Sequence, residues 1–136
     1  MKENKLVTKN SKGEILEFKL LCEEEDRGVA WCFNNKLSEI ISIPYNSTEL
    51  DCSINELTSL PKLPKYLLRL NCEDNKLNSL PKILPNSLQE LSCDNNNIKQ
   101  LPDLSELKKL IKVWCDMCCF EPYMLEMKDT EFELFC

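Results

Sequence analysis

The chain has 136 residues, 43% hydrophobic and 29% charged, with a net charge of -6 and a pI near 4.8. An acidic balance of this size argues against nucleic acid or an anionic membrane as the main partner. Two glycines are too few for a phosphate-cradling loop, and the lack of any histidine removes Ser-His and Cys-His pairs from consideration.

Residues 5–21 hold two strand-like runs around the turn signal Asn10-Ser11-Lys12-Gly13, and predict a β-hairpin. Residues 1–28 are read as an N-terminal cap made of this hairpin and the acidic link 22–28. Glu3 and Lys5 interrupt any apolar N-terminal run, so neither a signal peptide nor a transmembrane helix is expected.

A repeat follows. Asn35, Asn55, Asn75 and Asn96 stand 20, 20 and 21 residues apart. Three residues before each lies a cysteine (Cys32, Cys52, Cys72, Cys93), and two after each an aliphatic (Leu37, Leu57, Leu77, Ile98). A further aliphatic comes three residues on (Ile40, Leu60, Leu80, Leu101), and Pro61, Pro81 and Pro102 follow the last three of these. Ala30, Leu50, Leu70 and Leu91 precede the cysteines by two. After a 22-residue step a fifth unit carries Leu110, Val113, Cys115, Cys118 in the asparagine slot, and Phe120. Its extra residues fall in the SELKKL stretch, 105–110, where a short helical turn fits.

The unit L-x-x-L-x-C-x-x-N-x-L-x-x-L-P has a physical reading. Alternation near the cysteine suits a short strand with one buried face. The asparagine turns the chain, its amide bonding backbone groups of its own and neighbouring units. The L-P pair brings an extended, polyproline-like return along the outer side. No unit buries its leucines alone, so the units must stack. Residues 29–120 therefore form five repeats. Residues 121–136, with Tyr123, Met124, Leu125, Phe132, Leu134 and Phe135, are expected to close the far end as a C-terminal cap, part of it helical.

This motif resembles the leucine-rich repeat in its short, proline-containing form, as in bacterial type III effectors; cysteine-bearing versions occur in bacteria and giant viruses. The resemblance covers residues 27 to about 123. It implies a mostly β, α/β-type leucine-rich-repeat solenoid, right-handed, with a short parallel sheet on its concave side and a polyproline-like convex side. It also implies protein–protein binding through the concave face. Some such effectors are ubiquitin ligases whose catalytic cysteine lies in a separate large domain, and nothing in these residues matches that domain.

The nine cysteines first suggest disulfides or zinc. Cys32, Cys52, Cys72, Cys93 and Cys115, however, share one inward slot, where a thiol packs as a small hydrophobe. Parallel neighbours rarely offer disulfide geometry, which points to a reducing, cytoplasmic compartment. Cys115 and Cys118 make a C-x-x-C, but the repeat already accounts for both and no histidine joins them, so no metal is expected. A bond between Cys119 and Cys136 stays open. An enzyme would need an activated thiol, with Cys118, Cys119 and Cys136 as the candidates. Asn46-Ser47-Thr48 matches a glycosylation sequon, discounted without a signal peptide.

The solenoid register lists the concave side chains unit by unit: Val29, Trp31 and Phe33; Glu49, Asp51 and Ser53; Arg69, Asn71 and Glu73; Glu90, Ser92 and Asp94; Lys112, Trp114 and Asp116. From these, Trp31, Glu49, Asp51, Arg69, Asn71, Glu73, Glu90, Ser92, Asp94, Lys112 and Trp114 form the candidate partner-binding face. Asp51, Glu73 and Asp94 are placed on one acidic strip, with Arg69 at the centre and a tryptophan at either end. A tryptophan so placed is either an interface anchor or covered by a cap. Equally, the acids serve either a basic or mixed-charge protein surface or plain solubility. The expectation is a monomeric, cofactor-free protein-binding module. The rival readings are an inert structural module, or fragment of a larger repeat protein, and a cysteine enzyme.

Overall fold

The computed structural model describes residues 5–24, 27–116 and 133–135. Ten strands follow in chain order: β1 (Lys5–Asn10), β2 (Ile15–Lys19), β3 (Leu21–Glu24), β4 (Arg27–Trp31), β5 (Leu37–Ser42), β6 (Ser47–Asp51), β7 (Arg69–Asn71), β8 (Glu90–Ser92), β9 (Lys112–Trp114) and β10 (Glu133–Phe135). A seven-stranded sheet runs β10-β9-β8-β7-β6-β4-β3, and all its pairings are parallel except β3 with β4. One strand per repeat makes this sheet, so the chain is a mostly β solenoid.

Each strand is brief because its hydrogen bonds come from neighbouring repeats. The ladder continues through the cysteines, with Cys32 N–H donating to the Asp51 carbonyl at 2.9 Å and Cys52 N–H to that of Asn71 at 2.9 Å. Inward from the strands, Leu50, Leu70, Leu91 and Val113 stack with the cysteines and the leucines of the return segments into one core. Each return ends in a tight turn, at Pro44 to Ser47, Pro64 to Leu67, Pro85 to Leu88 and Leu104 to Leu107, whose closing hydrogen bonds are 3.0–3.2 Å long. The expected helical turn at 105–110 is instead a pair of successive four-residue turns that share Leu107. Leu107 N–H bonds the Leu104 carbonyl, Leu110 N–H bonds that of Leu107, and no helix forms among the described residues.

β1 and β2 form a hairpin, its turn passing through Gly13 at φ 86°, where a side chain would be strained. The hairpin joins the convex side of the first repeat, where β1 pairs antiparallel with β5. Here the convex return is a true strand and not a polyproline-like segment. Ile40 is followed by Ile41 and Ser42 where later units have proline, so the backbone N–H groups remain available for pairing. Leu6 and Leu20 complete the core at this end, with Leu16 and Phe18 against it. Gly28 allows the join, because a Cβ there would lie 2.7 Å from Leu20 Cδ1 and 2.9 Å from the Asn46 carbonyl oxygen. At the other end β10 adds a sixth parallel strand beside β9. The helical expectation for the tail and the readings for Cys118, Cys119 and Cys136 lie outside the described residues.

Candidate functional site

The asparagines hold the turns that shape the concave face. Asn55 Oδ1 accepts from the N–H groups of Asn35 and Leu37, both at 3.0 Å, in the preceding repeat. Its Nδ2 donates to the carbonyls of Cys32, Cys52 and Ser53 at 3.1, 2.9 and 3.1 Å. Asn75 and Asn96 repeat the arrangement with one acceptor bond fewer: their Oδ1 atoms accept from Leu57 and Leu77 N–H, while Asn55 and Asn75 N–H donate to the carbonyls of Asp74 and Asn95. Asp116 does part of this work after the last asparagine: its carboxylate accepts from Asn95 and Asn96 N–H at 3.1 and 3.3 Å. Asp116 is thus tied into the backbone of the neighbouring turn.

Cross-strand register sorts the outward side chains into rows. In the first row Glu49, Arg69, Glu90, Lys112 and Glu133 stand side by side. Arg69 reaches Glu49 at 3.2 Å and Glu90 at 3.7 Å, so alternating charge nearly cancels along this row. The second row is Trp31, Asp51, Asn71, Ser92, Trp114 and Phe135. The third continues the ladder past the strands, where Ile54 N–H bonds the Glu73 carbonyl and Asp74 N–H that of Asp94. This row brings Glu73 beside Asp94. The Ser92 hydroxyl lies 3.3 Å from Glu73 Oε2 and 3.1 Å from Asp94 Oδ1.

Asp51 therefore does not share a row with Glu73 and Asp94. It pairs in register with Asn71, and its Oδ1 accepts from the Ser53 hydroxyl at 2.6 Å and the Ser53 N–H at 3.0 Å. The acidic surplus is a diagonal from Asp51 to Glu73 and Asp94, beside the balanced row centred on Arg69. Together these side chains line one shallow depression with Trp31, Phe33, Glu49, Asn71, Glu90, Ser92 and Trp114. Lys112 stands beyond its margin.

The two tryptophans differ. Trp31 is 48% exposed, and Phe33 beside it is 47% exposed. Trp114 is half-buried and stacks on Phe135, centroids 5.1 Å apart and planes 16° from parallel. Phe135 itself stays 39% exposed, so both ends of the face are aromatic. Sequence reasoning assigned Phe135 to end closure; its place on this face depends on β10 extending the sheet. With strands about 4.8 Å apart, four steps separate Trp31 from Trp114 by roughly 19 Å.

Beneath the face, Cys32, Cys52, Cys72, Cys93 and Cys115 are buried thiols. Cys52 Sγ lies 3.5 Å from the Asn71 carbonyl oxygen and Cys72 Sγ 3.3 Å from that of Ser92, so each thiol donates to the next strand. Burial pushes Cys32 up to about 12, with Asp51 adding to the effect. Cys52 and Cys72 are raised well above the ordinary range, by burial first and then by neighbouring thiols. A thiol so held is a poor nucleophile.

No family model and no curated protein matches the chain. Among solved structures the chain is similar to YopM from Yersinia enterocolitica WA-314, at 33% identity and a TM-score of 0.62, over 67% of this chain and 20% of that one. It is also similar to a Shigella effector leucine-rich-repeat domain, at 32% identity and a TM-score of 0.59, over 68% of this chain and 40% of that one. The chain thus spans about a fifth of the first and two fifths of the second.

Proposed function

We propose, from the premise that this chain is a leucine-rich-repeat protein of the bacterial-effector-like kind, that it binds a protein partner on its concave face. The observation that carries the reading is the second cross-strand row, a polar centre of Asp51, Asn71 and Ser92 between Trp31 and the Trp114–Phe135 stack. Exposed aromatics at both ends of a concave polar surface are the anchors that protein interfaces use most. Glu73 and Asp94, uncompensated by a neighbouring cation in their row, favour a basic or mixed-charge partner surface. Non-catalytic recognition by a monomer in a reducing cytoplasm is the setting this reading implies, and the thiol ladder suits it.

Affinity capture with wild type, Trp31→Ala and Glu73→Lys/Asp94→Lys tests the proposal, each protein being checked for native fold by circular dichroism. A partner held by wild type and lost by both variants is the expected result. A partner held equally by all three would place binding elsewhere. No selective partner at all would favour an inert structural module.

A further inference from the structure

The step from Asn75 to Asn96 is one residue longer than the two before it, and the structure shows which residue is extra. Leu63 and Leu84 both bury in the core, and Pro64 and Pro85 head equivalent turns to Leu67 and Leu88. One residue, Lys62, stands between Pro61 and Leu63, but two, Lys82 and Ile83, stand between Pro81 and Leu84. Ile83 is the surplus residue. It is 86% exposed, more than any other large apolar side chain among the described residues. Tyr66, of the preceding return, is 59% exposed, and Lys65 Nζ lies 5.5 Å from its ring centroid.

These side chains line a groove between successive convex returns, together with Lys62, Lys82 and Lys109, and no carboxylate lines it. Four lysines thus gather around two exposed apolar groups in a chain of net charge -6. We infer that this groove is a second docking site, for an acidic segment of a partner protein that carries an apolar side chain among its carboxylates. The carboxylates meet the lysines, and the apolar side chain covers Ile83 and Tyr66. Other occupants fit less well. A nucleic acid backbone offers nothing aliphatic to Ile83. The acidic concave face of a second copy is itself hollow, and two hollows do not close on each other. The site is independent of the concave-face reading.

The probe is a fluorescein-labelled peptide of repeated Asp-Glu-Leu, titrated with the full chain by anisotropy, with backbone amide shifts locating it. Binding is expected to shift Tyr66 and Ile83, to weaken about tenfold in Ile83→Ser, and to weaken at least tenfold in Lys82→Glu/Lys109→Glu. Replacing the peptide's leucines with serine should cost about tenfold as well. Lys82, Ile83 and Lys109 are exposed, so their variants keep the fold, which circular dichroism verifies. The inference is overturned if the probe does not bind, or if the serine peptide binds equally, leaving charge alone. Equal binding by Ile83→Ser also overturns it. So does tighter association with phosphatidylserine vesicles, or self-association abolished by Lys82→Glu/Lys109→Glu, each of which would name a different occupant.

Discussion

Asn75 and Cys52 are joined across a repeat boundary, Asn75 Nδ2 donating to the Cys52 carbonyl oxygen at 3.0 Å. The same amide donates to Cys72 and Glu73 at 3.1 and 3.2 Å and accepts from Leu57 N–H at 3.0 Å, so one buried side chain satisfies backbone groups of two repeats. Alanine at this position leaves those groups unpaired away from water. Asn75→Ala is expected to lower unfolding free energy by about 2–3 kcal/mol. Urea titration gives the number; a loss within experimental error would mean that water replaces the amide.

Ile54 occupies a backbone position that disfavours it. Its φ is 54°, and the equivalent slots of the other turns hold Asn34, Asp74 and Asn95 at 55°, 51° and 53°. Asparagine and aspartate tolerate this left-handed conformation, whereas a β-branched residue is strained there by about 1–2 kcal/mol. Since the Ile54 side chain is 49% exposed, little core contact is at stake. Ile54→Asn should therefore stabilise the protein by about 1 kcal/mol, and Asn34→Ile should destabilise it by a similar amount. A pair of melting curves that move in the same direction would contradict the assignment of strain.

The contrast between these two positions shows what the sequence makes legible. Asn75 is evident because its role recurs every twenty residues or so, and the same recurrence places Leu50, Leu70 and the cysteines inside the solenoid. Features that break the period are harder to read. The pairing of β5 with β1 was signalled only by the missing proline after Ile40, and Asp116 standing in for an asparagine had no signal at all. On the concave face the period-two alternation says which side chains leave the core, but the rows they form depend on register. Asp51 stands two positions short of the Glu73 row, a separation that like charge conceals and only the pairing of Asp51 with Asn71 reveals. That a 21-residue step expels Ile83, and not Leu84, follows from which of them the core accepts.

The thiol ladder makes stability fall in alkali. A thiol in the unfolded chain ionises near 9.0, while Cys32 in the fold ionises near 12 and Cys52 and Cys72 are raised well above the ordinary value. Below the unfolded value both states hold the proton and these groups add no pH dependence. Above it the unfolded chain loses protons that the fold retains, so stability declines as pH rises, by about 1.4 kcal/mol per pH unit for each such thiol. Cys32→Ala should flatten the slope between pH 9 and about 12 by one thiol's share, although its plateau lies lower because a packed side chain is lost. Urea midpoints across that range, wild type against variant, measure the difference; parallel slopes would mean that Cys32 is not shielded from solvent.

Arg69 links the architecture of the face to its electrostatics. It lies between Glu49 and Glu90 in cross-strand register, is exposed, and makes ion pairs at 3.2 and 3.7 Å. Exposed pairs of this kind contribute at most about 1 kcal/mol each, so Arg69→Ala should leave stability close to that of wild type. Charge reversal is different. Arg69→Glu sets three carboxylates side by side on adjacent strands, where like charges repel, and should cost about 1–2 kcal/mol at low ionic strength. Salt screens that repulsion, so the reversed variant should recover stability between about 20 mM and 500 mM sodium chloride, while wild type, held by attraction in this row, should lose a little. An identical salt response in the two proteins would show that the row is not electrostatically coupled, and that the acidic diagonal must be judged without Arg69 beside it.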